Sequence, residues 1–411
     1  MDLTPRVAKD IIMNVGGSGI PPIYGFQFFT AGLDNYLKPI EDEYFCSYIN
    51  NGGSAFKLVV GTFGGGKTHF LYSVRELAWK NNLAVSYVQL TEKTTPFNQL
   101  EAVYRSIVAN IMFPMTGEEL LSGREKGIES FIKVWYQNKI NDFKKLGVLD
   151  AEMDAEIKNY LASITTDSSS FTNAIKAAFN CLFNKQDDDF SMVIQWLKGE
   201  PYNTSKTDGP AKFKIQQRID KNTAFTMIAS LVQWVRSTGY LGLVILFDEA
   251  EQTPSMSGKQ KTSLLQNLLE LINECAHGSL PNCMIFYAVP NLTFLDGKTD
   301  MFVALNQRLE TIFEPINYQG VRIDLGNTSS DSTGILIEIG MKLAKVYEIA
   351  NSITFNKEPL ENSISALAKA VIKDKWGDTG FKREFVQKVI KAFGILRINP
   401  DQAVTPDKVG L

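Results

Sequence analysis

The residues best suited to chemistry form one short glycine-rich stretch. It reads Gly61-Thr62-Phe63-Gly64-Gly65-Gly66-Lys67-Thr68. This spacing matches G-x-x-x-x-G-K-[ST] at every fixed position. In such a loop successive backbone N–H groups bind phosphate oxygens, and a helix that begins there adds the positive end of its dipole. The motif therefore predicts that Lys67 reaches the β- and γ-phosphates of a nucleotide and that Thr68 binds Mg²⁺.

A pair of acids forms the second chemical feature. Asp248 and Glu249 end an unbroken apolar run, residues 243–247, of the kind found in buried parallel strands. An acid at the carboxyl end of such a strand can hold Mg²⁺, usually through water, and a second acid can activate a water molecule. The alternative is a strand end with two solvated acids. The phosphate-binding motif favours the catalytic interpretation.

Two further polar residues follow these acids along the chain. Asn291 comes just after the predicted strand 283–289, where a polar side chain could hold a water near the γ-phosphate. Asn also begins loops for purely local reasons. Arg308 lies on a predicted helix and could act as a finger that stabilises charge in a neighbouring subunit's site. A surface ion pair is the alternative.

Two other segments have both a functional and a plain interpretation. Residues 16–22, Gly-Gly-Ser-Gly-Ile-Pro-Pro, are predicted to be a loop. They are read as a connector rather than a second phosphate loop, because no Lys-Ser/Thr follows. A locally basic segment could contact phosphate or nucleic acid, or could simply be a solvated surface. Its basic residues are Lys206, Lys212, Lys214, Arg218 and Lys221.

The elements that must position these residues alternate between strand and helix. Apolar, β-branched runs predict strands at residues 55–60, 83–90, 243–249, 283–289 and 321–325. Helical periodicity predicts helices between them, including residues 69–79 and about 94–112. This alternation predicts an α/β fold, with a parallel sheet covered by helices on both faces.

The chain divides into three predicted parts. Residues 1–53 lead into a strand-and-helix core at residues 54–327, and residues 328–411 form a C-terminal set of helices. The core contains an insertion at about residues 114–215 that reads as helices without strands, one of them capped by the run Ser168-Ser169-Ser170. The tail after Pro400 lacks periodicity, so we expect it to be loose.

Composition narrows the class of protein. The chain has 411 residues, of which 44% are hydrophobic and 21% charged, as in soluble globular proteins. Four scattered cysteines and two histidines make a zinc site improbable, and the default expectation is a reduced, cytoplasmic setting. No membrane-spanning run and no secretory signal is found. A net charge of −3 argues against binding to nucleic acid through the overall charge of the protein, but it leaves a local DNA contact open.

With both motifs placed, the core resembles the AAA+ (ASCE) division of P-loop ATPases, nearest its Orc/Cdc6-like end. The resemblance implies ATP and Mg²⁺ as cofactors, with nucleotide contacts from residues 61–69, His69 included. It makes residues 61–68 the Walker A motif and residues 243–249 the Walker B motif, with Asp248 on magnesium and Glu249 as the hydrolytic base.

The same resemblance implies roles for three more residues. Asn291 matches the sensor-1 position and Arg308 the arginine finger. Arg383, in Gly-Phe-Lys-Arg, matches the sensor-2 position of a C-terminal helical lid. No winged-helix domain of the Orc/Cdc6 type is evident at the C-terminus.

A closer resemblance is to the ATP-binding BrxC/BrxD-like proteins of bacterial BREX-type phage-defence systems. The similarity lies in residues 52–72 around the phosphate-binding motif, in Trp-Leu-Lys-Gly-Glu at 196–200, and in Gly-Tyr-Leu-Gly at 239–242. It covers roughly residues 6–325 and implies a homo-oligomer, or a complex with other defence-system proteins.

These features lead to three functional hypotheses. The first is an ATP-hydrolysing switch or motor of a defence system, in which Lys67 and Glu249 are catalytic. The second is a nucleotide-gated interaction module with slow hydrolysis, in which the helical insertion docks a partner. The third is a DNA-loading or transposition-type regulatory ATPase, and only the basic segment supports it.

Overall fold

A six-stranded sheet lies at the centre of the protein, in a computed structural model that describes residues 3–123, 125–202, 209–250, 256–295, 299–326, 332–374 and 380–411. Its strands are β1 (Ser54–Val60), β2 (Ala84–Gln89), β3 (Ile111–Met112), β4 (Leu243–Asp248), β5 (Cys283–Val289) and β6 (Arg322–Asp324). Their order across the sheet is β3-β2-β4-β5-β1-β6.

Five strands run parallel, as predicted. β1 pairs with β5 and β6, and β4 pairs with β2 and β5. Because the carboxyl ends of parallel strands meet at one edge of a sheet, the ends of β1 and β4 are neighbours of the end of β5, which lies between them. The predicted α/β class is therefore confirmed.

One strand was missed. The predicted helix at about residues 94–112 occupies only Leu100–Asn110, and Ile111 and Met112 form β3, antiparallel to β2. A strand of two residues is too short to show the alternation by which strands are recognised in a sequence.

The helices fall into three groups by position in the chain. The first four are α1 (Pro5–Ser18), α2 (Asp34–Pro39), α3 (Lys67–Lys80) and α4 (Leu100–Asn110). The next five are α5 (Gly117–Leu121), α6 (Ile128–Lys145), α7 (Met153–Ser163), α8 (Ser169–Phe183) and α9 (Asp187–Leu197). The last seven are α10 (Ala224–Ser237), α11 (Gly258–His277), α12 (Asp300–Leu309), α13 (Ser332–Asn351), α14 (Lys357–Asp374), α15 (Phe381–Ile398) and α16 (Pro406–Val409). α2 continues as a π-helix, Ile40–Tyr48.

The helices of the insertion share one core with the sheet. Trp135 of α6 packs edge-on against Phe179 of α8 and Trp234 of α10, at ring-centroid distances of 4.9 and 5.3 Å. Ser168 caps α8 as predicted, since its side chain accepts a hydrogen bond from the Phe171 N–H. Within the described residues of 114–215 there is no strand, so the insertion is an α-helical layer built onto the sheet.

A second core joins the two ends of the chain. Val7, Ile11 and Val15 of α1 are buried in one hydrophobic cluster with residues of α13, α14 and α15. The predicted loop at residues 16–22 was wrong in part, because α1 continues to Ser18 and is capped by Gly19 with φ of 65°. The predicted three-part division stays a prediction, and residues 327 and 328 at its second boundary lie outside the described part of the chain.

The C-terminal tail is packed rather than loose. Val404 and Val409 are each 1% exposed in this second core. The Val404 N–H also donates a hydrogen bond of 2.8 Å to Ser363 Oγ. The expectation of a loose tail was wrong because isolated apolar residues can anchor a segment that shows no helical period.

Candidate functional site

The glycine-rich loop connects β1 to α3 at the carboxyl edge of the sheet. Gly64 and Gly66 have φ of 69° and 102°, which L-residues with side chains rarely adopt. The Gly61 N–H donates to Val289 O at the end of β5, over 3.1 Å. α3 begins at Lys67, so the first turn of that helix adjoins the loop. The arrangement is that of an anion-binding loop at a helix N-terminus.

Lys67 lies along this loop. It is 8% exposed, and its Nζ donates to Gly61 O over 2.7 Å and to Thr62 O over 3.3 Å. Both acceptors belong to the loop itself. The ammonium group is thus held where a phosphate bound on the loop N–H groups would meet it.

The fold brings the side chains of Thr68 and Asp248 together. The Thr68 hydroxyl donates to Asp248 Oδ2 over 2.8 Å, although the residues are far apart in sequence. Asp248 is 1% exposed at the end of β4, and its Oδ1 accepts from the Glu249 N–H over 2.9 Å. A carboxylate and a hydroxyl are hard oxygen donors of the kind that Mg²⁺ prefers, with further ligands coming from substrate phosphates.

Glu249 follows with an unusual backbone. Its φ is 59°, a left-handed conformation that costs a residue with a side chain about 1 kcal/mol. It is exposed and lines the cavity described next. Backbone strain of this kind is concentrated at functional sites, so the conformation of Glu249 marks it as a candidate acid or base.

A cavity of about 660 Å³ lies over the loop. Its polar lining comes from residues 62–69 and from Asp248, Glu249, Lys382 and Arg383. Its apolar lining comes from the N-terminal segment, the residue that follows β6 and the C-terminal helices. These apolar residues include Val15, Ile20, Pro21, Phe29, Leu33, Leu325, Ile335, Ile339 and Val386. The volume and the mixed lining suit a nucleotide, which needs polar groups for its phosphates and apolar contacts for its base.

His69 links the loop to the N-terminal segment. Its Nε2 is 2.7 Å from Thr30 Oγ1, and its ring lies edge-on to Phe26 and Phe29. Burial, together with the charge of Lys382, lowers the pKa of His69 to about 4. The imidazole is therefore neutral near pH 7, and its observed contacts place it as a wall of the cavity.

The C-terminal helices approach the loop through the start of α15. A Cβ on Gly380 would lie 3.0 Å from Phe63 O, so glycine is needed there for close approach. Arg383 lines the cavity, as a lid arginine should, although its side chain is exposed.

Lys382 is a cavity residue that sequence reasoning missed. Its Nζ donates to Gly65 O over 3.3 Å, and burial lowers its pKa to about 8. Among the described residues, no carboxylate forms an ion pair with it. The only sequence signal is the adjacent pair of basic residues in Gly-Phe-Lys-Arg. Since neighbouring positions on a helix point in directions about 100° apart, the pattern alone does not show which one faces the phosphates.

Asn291 and Arg308 lie outside the cavity lining. Asn291 Oδ1 accepts from the Thr293 N–H and hydroxyl, over 3.0 and 2.6 Å, which is a local turn. Arg308 is exposed on α12, where its Nε donates to Asn273 Oδ1 over 2.7 Å. Their proposed roles as sensor and finger stay predictions.

The basic segment is only partly described. Lys206 lies outside the described residues. Lys212 forms an ion pair with Asp189, whereas Lys214, Arg218 and Lys221 are exposed. One of its cations is thus engaged by the protein itself.

Together these features define the class. A loop of this sequence between the first strand and its helix, facing a buried aspartate at the end of a parallel strand, is the site of a P-loop nucleotide-binding protein. The chain matches the family model for the BREX system ATP-binding protein BrxC/D over residues 3–408, so it belongs to that family. This confirms the resemblance found in the sequence and assigns ATP binding within a BREX defence system. No curated protein and no solved structure matches the chain. Among the described residues, no helix is long and apolar enough to cross a membrane.

Proposed function

We propose that this protein hydrolyses ATP with Mg²⁺ and acts as a nucleotide-driven switch or motor of its defence system. The observation that best supports this is the 2.8 Å contact between Thr68 and Asp248 in the lining of a cavity that Glu249 also lines. Phosphate binding alone would need only the loop. A buried aspartate beside the threonine, and a second acid in the cavity, are what hydrolysis adds.

Each residue has a role that follows from its place. The backbone of residues 61–66 binds the phosphates. The ammonium groups of Lys67 and Lys382 then donate hydrogen bonds to phosphate oxygens in place of the loop carbonyls that accept from them in this structure. Thr68 and Asp248 would hold Mg²⁺, which when bound neutralises developing phosphate charge. Glu249 accepts the proton of the attacking water.

The base of the nucleotide would be bound by packing against the apolar part of the cavity lining. This part comes from hydrophobic side chains near both ends of the described chain. Val15 of α1 and Ile339 of α13 belong both to this lining and to the second core, so nucleotide binding would be coupled to the packing of the C-terminal helices.

Three of the proposed roles involve other molecules or movement. Arg383 would contact phosphate when the C-terminal helices close on the nucleotide. Arg308, exposed on α12, would complete a neighbouring subunit's site in a homo-oligomer. Asn291 would turn from its contact with Thr293 to hold the attacking water. Other proteins of the BREX system are the proposed partners of the helical insertion.

The test is nucleotide binding and turnover measured separately. Lys67→Ala should weaken ATP binding, and Glu249→Gln should bind ATP but release phosphate at least about a hundredfold more slowly. Lys9→Ala and Glu156→Gln, both at exposed positions distant from the cavity lining, are the matched controls. Undiminished turnover in both site variants would refute the proposal. Wild-type ATP binding without turnover, unchanged by DNA, would instead support the nucleotide-gated interaction module.

A further inference from the structure

The side chain of Tyr87 lies beside those of Thr68 and Asp248, but Tyr87 belongs to neither of the two nucleotide-binding motifs. It lies on β2, next to the strand that carries Asp248. The register pairs Tyr87 with Leu246 and Gln89 with Asp248. Because paired residues of parallel strands share a face and residues two apart on a strand do too, Tyr87 and Asp248 lie diagonally on one face.

The hydrogen bonds at Asp248 show what Tyr87 does. Its hydroxyl donates to Asp248 Oδ2 over 2.6 Å, the same oxygen that accepts from Thr68 over 2.8 Å. Asp248 Oδ1 accepts from the Glu249 N–H. Three donors therefore fix both carboxylate oxygens, and the phenol is the only one of them outside the two nucleotide motifs.

The phenol is itself held in place. Its ring packs at 5.1 Å, tilted by 50°, against the ring of Tyr72, which is one helical turn after Thr68 on α3. Tyr72 lines the cavity, whereas Tyr87 does not. Its hydrogen bond to Asp248 connects Tyr87 to the site.

We propose that Tyr87 is a positioning residue that sets the affinity of the ATP site for Mg²⁺ by fixing the Asp248 carboxylate. This rests on the proposed function. The Thr68 hydroxyl can donate its proton to Asp248 while its oxygen binds the cation, and Tyr87 holds the same carboxylate oxygen from β2. This second donor restricts rotation of the carboxylate before the cation binds, which reduces the ordering that binding must accomplish.

The test is the Mg²⁺ dependence of nucleotide binding by the full chain. Tyr87→Phe removes one oxygen and keeps the ring packing against Tyr72. With a fluorescent ATP analogue as probe, the Mg²⁺ concentration at half-maximal binding should rise by about threefold to tenfold, because one charge-assisted hydrogen bond is lost while two donors remain. Binding in EDTA should stay within about twofold of wild type, because the phosphate loop is unchanged.

The matched control is Tyr104→Phe. Tyr104 is fully buried on α4 and donates to Leu197 O over 2.9 Å, away from the cavity. It should lower the melting temperature about as Tyr87→Phe does but leave the Mg²⁺ dependence unchanged. This separates a loss of general stability from a loss of carboxylate positioning.

Each result decides between the alternatives. An unchanged or lowered Mg²⁺ requirement in Tyr87→Phe, with Mg²⁺-dependent binding by wild type, would overturn the role of Tyr87 and leave the proposed function standing. Wild-type protein that binds the analogue equally well with and without Mg²⁺ would overturn both.

Discussion

The ATP affinity of this protein should depend on pH through Lys382. Burial lowers the pKa of Lys382 to about 8. Bound phosphates stabilise the ammonium form, so they raise this pKa again. Above pH 8 the nucleotide-free protein therefore has to take up a proton when ATP binds, and its affinity falls as the pH rises.

The size of the effect follows from the fraction of Lys382 that is charged. With a pKa of about 8, about three quarters of the side chains are charged at pH 7.5 and about 3% at pH 9.5. If the phosphates bind only the charged form, the affinity should fall about 25-fold over this range. At pH 7.5, Lys382→Met should weaken ATP binding by about tenfold to a hundredfold, the usual worth of a charged hydrogen bond.

The assay is equilibrium binding of a fluorescent ATP analogue in EDTA at pH 7.5 and pH 9.5. Lys382→Met should lose the pH dependence together with the affinity. Lys382→Arg should lose the pH dependence and keep the affinity at pH 7.5, because arginine stays charged throughout. Arg383→Met is the matched control on the next residue of α15, and it should keep the wild-type pH dependence.

Two results would refute this reasoning. The first is a wild-type affinity that does not change between the two pH values. The second is an unchanged pH dependence in Lys382→Met. Either would mean that the phosphates are bound without the Lys382 ammonium.

Three further predictions concern stability and assembly. Lys57 is 1% exposed, its Nζ donates to Tyr44 Oη over 2.6 Å, and burial lowers its pKa to about 7. In this pH range the unfolded chain carries a proton on Lys57 that the folded protein lacks, so the free energy of unfolding of the wild type falls as the pH falls from 9.5 to 7.5. In urea unfolding, the difference in this free energy between wild type and Lys57→Met should change by about 2 to 3 kcal/mol over the same range. A difference that stays constant would show that the ammonium stays charged. The ATPase rate per subunit should rise with protein concentration in wild type and in Arg397→Ala, which changes another exposed arginine, but not in Arg308→Ala. A wild-type rate that does not change with concentration would contradict an arginine finger that acts in trans. Val409→Asp should lower the free energy of unfolding by about 3 kcal/mol, because it buries a carboxylate in the second core. The control Lys408→Asp, at an exposed position, should change it little. Equal melting temperatures for the two variants would contradict an anchored tail.

The sequence by itself determined those parts of the site that are contiguous in the chain. The phosphate loop is one such part, because its backbone geometry depends on glycines placed within eight residues of one another. The strand that ends in Asp248 is another, because a buried parallel strand shows its apolar character without any partner. Since crossover connections bring the ends of parallel strands to one edge, the meeting of Thr68 with Asp248 could be predicted as well.

Only the tertiary structure decided the contacts between segments that share no local pattern. The packing of α1 with α13 and α15 joins the two ends of the chain, and no pattern in the sequence of these helices indicates that they pack together. The same holds for Lys382 at the phosphate loop and for Tyr87 at Asp248, since each depends on which neighbour a helix turn or a strand register supplies. A side chain's type and spacing indicate the chemistry it can do, but the atom it meets is set by the packing of the whole fold.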